Sequence, residues 1–291
     1  MFQCNMCPRK CGVDRDVSRG VCGVGARYRI ARAALHYWEE PCISGTKGSG
    51  TVFFSGCPLK CVYCQNYEVS RNCFGKEISE DRLTEIFDEL AAEGAHNINL
   101  VSPTQYALML ASTLEKHRPN VPVVYNTGGY EDVGTLKRLD GIVDIYLTDL
   151  KYYDSAVSEK YSRAADYFDK ASAAVAEMSR QAPVCEFDEN GIMQKGLIVR
   201  HLVLPGNVSQ CVKVLDWAAE NLPSDTIISV MSQYTPCGEA KAYPTINRRL
   251  SRKEYDIAVR HARSLGFTNV YIQQPDSSKE EYIPPFDLSG V

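Results

Sequence analysis

"TVFFSGCPLKCVYCQN", residues 51–66, sets a short β-branched and aromatic run directly before Cys57, Cys61 and Cys64, which stand at CxxxCxxC spacing. The run reads as a strand, and in a parallel α/β protein the segment after a strand lies on the binding side of the sheet. Three thiols are one short of a closed zinc site and one more than a redox dithiol needs. A cubane of four irons held by three thiolates leaves one iron open to a further ligand, which accounts for the number. A zinc ion completed by Cys73 or Cys42 is the alternative.

Downstream of residue 51, short apolar runs alternate with longer helical segments, the pattern of βα units and a parallel sheet. The further strand candidates are "NINLV" at 97, "VPVVYN" at 121, "VDIYLTD" at 143, "GLIVRHLVL" at 196 and "TIISVM" at 226, with "NVYIQ" at 269 as a seventh. "SEDRLTEIFDELAAEG" predicts a helix capped by Ser79 and stopped at Gly94. One long helix is expected from about 155 to 181. The segments after the strands, "SPTQY", "NTGGYE", "TDLK", "LPGN" and "SQYTP", are where site residues are sought.

The chain has 291 residues, 44% of them hydrophobic, enough for a sizeable core. Its net charge of -4 gives no general attraction to nucleic acid or an anionic membrane, although the first 35 residues carry seven Arg or Lys against two Asp. No apolar run reaches the length of a membrane span and no signal-peptide core is present, so a cytoplasmic protein without a membrane partner is expected. In a reducing compartment, twelve cysteines point to thiolate ligation rather than disulfides. Seven lie in two groups. Cys42, Cys73, Cys185, Cys211 and Cys237 are scattered, and Cys237 after the sixth strand is the one expected near a substrate.

The second group, "CNMCPRKCGVDRDVSRGVC", is a full four-thiolate set, Cys4, Cys7, Cys11 and Cys22, in a segment too polar to form a core of its own. A second metal is expected there, zinc or an iron-sulfur cluster, with zinc favoured because the segment is short. Three parts follow: a cysteine-rich extension with its connecting segment over 1–48, a main domain over 49–275, and a loop-like tail over 276–291.

"CPLKCVYC", with Tyr63 just before the third cysteine, resembles the cluster loop of the radical S-adenosylmethionine (radical SAM) enzymes. The resemblance covers about residues 51 to 275 and implies a partial (β/α)6 barrel, a 4Fe-4S cluster on Cys57, Cys61 and Cys64, and S-adenosylmethionine chelating the fourth iron. The reduced cluster would cleave that cofactor, and the resulting 5′-deoxyadenosyl radical would take hydrogen from a substrate. The radical step then needs no side-chain nucleophile or base. A flavodoxin- or ferredoxin-type electron donor is implied as partner.

"YCQN", ending in Asn66, and "LTDLKYYD", with Asp149 and Lys151 on one face of the fourth strand, are similar to segments of enzymes that activate glycyl radical proteins, which implies a protein or peptide substrate. Where the family has Gly-Gly-Glu after the second strand, this chain has "LVSPTQY", so Ser102 and Thr104 are expected to take over contacts to the cofactor. Asn126, Thr127 and Gly128 resemble the family's polar turn beside it. Asp149 and Lys151 form either a structural ion pair or part of the site. Arg200 would meet either the cofactor carboxylate or a structural partner such as Asp149, and His201 enters by resemblance alone. Gln233 and Tyr234 are candidates for the substrate side. The competing functions are radical SAM modification of a peptide or small molecule, and a non-catalytic cluster-bearing or zinc-bearing interaction protein.

Overall fold

All seven runs read as strands form and lie side by side. The computed structural model describes residues 3–273 and 284–291. Its strands are β1 (Tyr28–His36), β2 (Ser49–Phe54), β3 (Lys76–Ile78), β4 (Ile98–Val101), β5 (Val123–Thr127), β6 (Ile145–Asp149), β7 (Glu186–Phe187), β8 (Met193–Leu202), β9 (Ile227–Met231) and β10 (Val270–Ile272). The main sheet runs β10-β9-β8-β6-β5-β4-β2-β1-β3. From β2 to β10 every neighbouring pair is parallel, and β1 is antiparallel to both β2 and β3. The ends of this order do not pair, so the sheet is an unclosed partial barrel. Strands covered on both faces need apolar side chains on both, which is why β4 and β9 are buried throughout and were legible as continuous runs.

The helix Glu80–Ala92 follows its signals: the Ser79 side chain accepts from the Arg82 amide, and Leu83, Ile86, Phe87 and Leu90 form the buried face. The long helix expected over 155–181 is instead two, Ser155–Ser162 and Tyr167–Gln181. The first ends on Arg163, whose backbone is left-handed at φ +49°. Arg9 takes up the carbonyls freed there, donating from Nη2 to Ser162 O at 3.0 Å and from Nη1 to Arg163 O, while its Nε donates to Pro58 O at 2.9 Å.

Residues 37–48 leave β1 beside the start of β2, since His36 pairs with Ser49. The short helix Pro41–Ser44 inserts Cys42 and Ile43 among Val124, Ile145, Leu147, Met193, Ile198 and Ile227. This apolar plug closes the barrel at the amino ends of its strands. The expected boundary at 48/49 therefore falls between two strands that pair with each other.

The cysteine-rich segment is turns and loops held by bonds such as Cys4 N to Val13 O and Gly12 N to Cys4 O, both 3.0 Å. It seats on the loop that follows β2: the Cys57 amide donates to Cys22 O at 3.2 Å. Of the expected tail, residues 276–283 lie outside the described residues. The remainder is docked on β1, with Leu288 N donating to Ala31 O and Ala33 N to Ser289 O.

Candidate active site

Cys57, Cys61 and Cys64 sit in the loop that leaves the carboxyl end of β2. Each sulfur is met by protein donors. The Leu59 amide points at Cys57 Sγ at 3.4 Å, and the Ser162 hydroxyl donates to Cys61 Sγ at 3.0 Å. Cys64 is approached by the Asn66 amide and by the Ser70 hydroxyl, a buried group without another hydrogen-bond partner among the described residues. Burial pushes the Cys57 thiol up to about 12 and the Cys64 thiol to about 11, with Cys61 adding to both. Desolvated thiols of this kind ionise only when a metal supplies positive charge, and donors aimed at sulfur suit a cluster that carries net negative charge. The donor set thus fits an iron-sulfur cluster. Neither alternative fourth ligand joins it: Cys73 packs against Cys22 O at 3.7 Å, and Cys42 lies in the plug. Among the described residues no three Cys, His, Asp or Glu side chains are drawn together as for a single metal ion.

Beside the loop the barrel interior is polar. Arg200 donates from Nε to Asp149 Oδ1 at 2.9 Å, from Nη1 to Glu39 Oε2 at 3.0 Å, and from Nη2 to Asn126 Oδ1 at 2.7 Å. Glu40 Oε2 lies 3.8 Å from the same guanidinium. Asn126 Nδ2 returns to Glu39 Oε1 at 3.0 Å, and Lys151 Nζ binds Asp149 Oδ2. Burial works against the Asp149 charge, but Lys151 and Arg200 outweigh it and hold the carboxyl below its ordinary value. Burial likewise opposes the Lys151 charge, and Asp149 followed by the Cys61 sulfur raises it.

Asp149 and Lys151 are thus an ion pair, and Lys151 is also a neighbour of Cys61 and Cys64. Arg200 has the structural partner, Asp149, with Glu39 added. Glu39, Glu40, Arg200, Ser229, Met231 and Gln233 line a cavity of about 210 Å³ in this interior.

The remaining sequence candidates divide. Ser102 takes a left-handed backbone at φ +57°, a conformation that non-glycine residues adopt mainly where surroundings impose it. Its carbonyl accepts from Gln105 Nε2 at 2.7 Å. Gly128 faces the cluster loop, because a Cβ there would lie 3.1 Å from Leu59 and 3.3 Å from Lys151. Thr104 and Thr127 both donate to Glu131, so their hydroxyls are already engaged. Tyr63 points into the core with its phenol 2.7 Å from that of Tyr152. His201 is buried, with Nδ1 on Leu150 O at 2.7 Å, and burial brings its pKa down to about 4, so it is a neutral core histidine. Tyr234 is buried with its hydroxyl on Ile246 O. Cys237 donates to Tyr63 O at 3.1 Å, within the loop that carries Cys61 and Cys64.

Glu131, two residues past the "NTGG" turn, is buried and held by Thr104, Thr127 and Tyr125. Burial raises its pKa to about 7 against the lowering effect of those hydroxyls. A folded-state pKa above the unfolded one gives stability that is fully present below pH 4.5 and lost as pH rises through 7. Unfolding free energy should fall by roughly 2–3 kcal/mol between pH 5 and 8 from this group. Glu131→Gln keeps an acceptor for both threonine hydroxyls and should flatten that slope in urea unfolding at the two pH values. Equal slopes in both proteins would refute the assignment.

Of the four N-terminal thiols, Cys4, Cys7 and Cys22 are buried and Cys11 is partly exposed. Burial raises the Cys7 thiol to about 12, with Cys22 and Cys4 contributing. A Cβ on Gly20 would lie 3.3 Å from Cys22 Sγ and 3.4 Å from Cys11 Sγ.

A family model described as the radical SAM superfamily matches residues 51–185. The protein MJ0674 of Methanocaldococcus jannaschii is 33% identical over 277 residues, which span 92% of this chain and 76% of the relative. The chain carries a radical SAM domain. Among solved structures, Streptococcus suis SuiB bound to S-adenosylmethionine matches with TM-score 0.51 at 13% identity over 75% of this chain and 48% of that one. SuiB bound to its precursor peptide SuiA matches with TM-score 0.52 over 75% and 46%. This chain therefore spans about half the length of SuiB, and at that identity the likeness is one of fold. The radical SAM domain match supports S-adenosylmethionine-dependent radical chemistry.

Several residues escaped the sequence reading. Glu39 and Glu40 stand in a segment taken as connecting, Ser162 in the middle of an expected helix, and Arg9 in a module assigned only to metal. None sits in a recognisable motif. The one available signal was charge: Arg200 within an apolar strand required acidic partners, and "EEP" supplied two.

Proposed function

We propose that this radical SAM protein abstracts a hydrogen atom from a peptide or protein segment. Glycyl radical activation is the form that "YCQN" and "TDLK" favour. The observation that carries the radical chemistry is the loop after β2, where three thiols are met by protein donors and neither Cys42 nor Cys73 completes the set. Cys57, Cys61 and Cys64 would hold the 4Fe-4S cluster. With S-adenosylmethionine bound, the pair supplies the one-electron chemistry that the superfamily uses to remove hydrogen. The protein's own part is orientation and water exclusion. Ser102 and Gly128 present backbone at the mouth, and Lys151 places a cation beside the Cys61 and Cys64 sulfurs. The lattice of Arg200, Glu39, Asn126 and Asp149 fixes the wall below them. SuiB, in complex with its precursor peptide, supports a peptide substrate. Cys4, Cys7, Cys11 and Cys22 hold a structural zinc in this scheme, and a flavodoxin- or ferredoxin-type protein supplies electrons.

Anaerobically reconstituted, reduced protein with S-adenosylmethionine should yield 5′-deoxyadenosine and methionine. The variant with Cys57, Cys61 and Cys64 all changed to Ala should yield neither and should retain its zinc. A cluster that ignores the cofactor in electron paramagnetic resonance would refute the radical reading. Iron beyond one cubane per chain would refute the zinc assignment.

A further inference from the structure

The Ser162 hydroxyl that donates to Cys61 Sγ at 3.0 Å is the end of a chain. The Tyr152 phenol lies 2.7 Å from Ser162 Oγ, and the Tyr63 phenol lies 2.7 Å from that of Tyr152. All three side chains are buried. Each hydroxyl has one proton, so commitment of the Ser162 proton to sulfur leaves its oxygen to accept from Tyr152, whose oxygen then accepts from Tyr63. Hydrogen bonds aligned head to tail polarise one another and strengthen the last donor.

The position of that donor is fixed from outside the barrel. Ser162 is the last residue of its helix, and Arg9 binds the Ser162 carbonyl at 3.0 Å and the Pro58 carbonyl at 2.9 Å. One guanidinium thereby ties the helix end that bears the hydroxyl to the loop that bears Cys61.

We propose that Ser162 is a positioning residue that sets the reduction potential of the cluster through the Cys61 sulfur. It is aimed by Arg9 and strengthened by Tyr152 and Tyr63. A one-electron reduction adds negative charge to the cluster and its sulfurs, and a hydrogen bond to sulfur stabilises the reduced form more than the oxidised one. The inference rests on Cys57, Cys61 and Cys64 being cluster ligands.

The test is potentiometry of the reconstituted full chain without S-adenosylmethionine, reduced with dithionite in the presence of mediators and followed by electron paramagnetic resonance. At the wild-type midpoint, Ser162→Ala should lower the ratio of reduced to oxidised cluster about tenfold, equivalent to a midpoint about 59 mV lower for a one-electron couple. Ser162→Thr, which keeps the hydroxyl, should restore most of the ratio. Tyr152→Phe, which leaves the serine contact in place but removes its donor, should shift the ratio in the same direction by less.

An unchanged midpoint in Ser162→Ala at wild-type iron and sulfide content would overturn the inference. If that variant assembles no cluster, an unchanged midpoint in Tyr152→Phe overturns it instead. A wild-type protein that takes up no cluster overturns the ligand assignment itself, an outcome seen before any variant is made.

Discussion

Arg200→Met is expected to destabilise the protein by about 3–5 kcal/mol at neutral pH, the range found when one member of a buried ion pair is removed. Wild-type Arg200 answers Asp149 and Glu39 directly and Glu40 at longer range. Its side chain is only 13% exposed, so water cannot take its place. Methionine fills much of the volume but leaves three carboxylates facing one another with Lys151 as the remaining cation. Asn126 also loses the donor to its Oδ1.

The pH dependence identifies the cause. Asp149 is held below its ordinary pKa, so its pairing contributes stability at neutral pH that disappears as pH falls through the folded-state value. The gap between wild type and variant should therefore narrow in acid, where the freed carboxylates take up protons. Urea unfolding at pH 7 and pH 3 measures both terms. A loss under about 1 kcal/mol at pH 7 would mean that the lattice is not a stabilising unit.

Gly129→Ala should be comparably damaging for a different reason. Gly129 has φ +82°, and a Cβ there would fall inside 3.0 Å of the Asp149 carbonyl, closer than real Cβ atoms come to other groups. The obstacle is strand backbone, which cannot swing aside as a side chain can. Accommodation requires the end of β6 to move, and Asp149 and Lys151 move with it. The left-handed penalty adds about 1 kcal/mol and the displaced packing a further 1–3 kcal/mol. Thermal or urea unfolding should show a total loss of roughly 3 kcal/mol, together with weaker cluster retention. Gly128→Ala serves as a control, because its Cβ meets only the ends of Leu59 and Lys151. Equal stability of the two variants would contradict the explanation.

The strands were legible because parallel strands buried on both faces leave uninterrupted apolar runs, and the cysteine loop was legible because its spacing is local. What the sequence hid depends on residues distant along the chain. Nothing in "YSRAAD" announces a helix break, since no glycine or proline stands there; the carbonyls are taken up by Arg9, far upstream. Glu39 reads as part of a connection until the fold brings it to Arg200. Ser162 becomes a hydrogen-bond donor to sulfur only when its helix end meets the loop. Arg200 is the middle case: its need for a carboxylate was readable from an apolar strand, while the choice among Asp149, Glu39 and a cofactor was not.

The docking of residues 286–291 on β1 bears on how the protein is made. β1 has β2 on one side, but beyond its short pairing with β3 the other side is covered by the segment that sends Leu288 N to Ala31 O and receives Ala33 N at Ser289 O. That segment is translated almost a full chain length after β1. A nascent chain with the cluster loop already outside the ribosome therefore still carries an open strand edge. Open edges recruit other strands. Nascent chains that still lack these residues should depend on chaperones, and metal delivery to the cysteines is best timed after the last stitch of the sheet has been drawn tight.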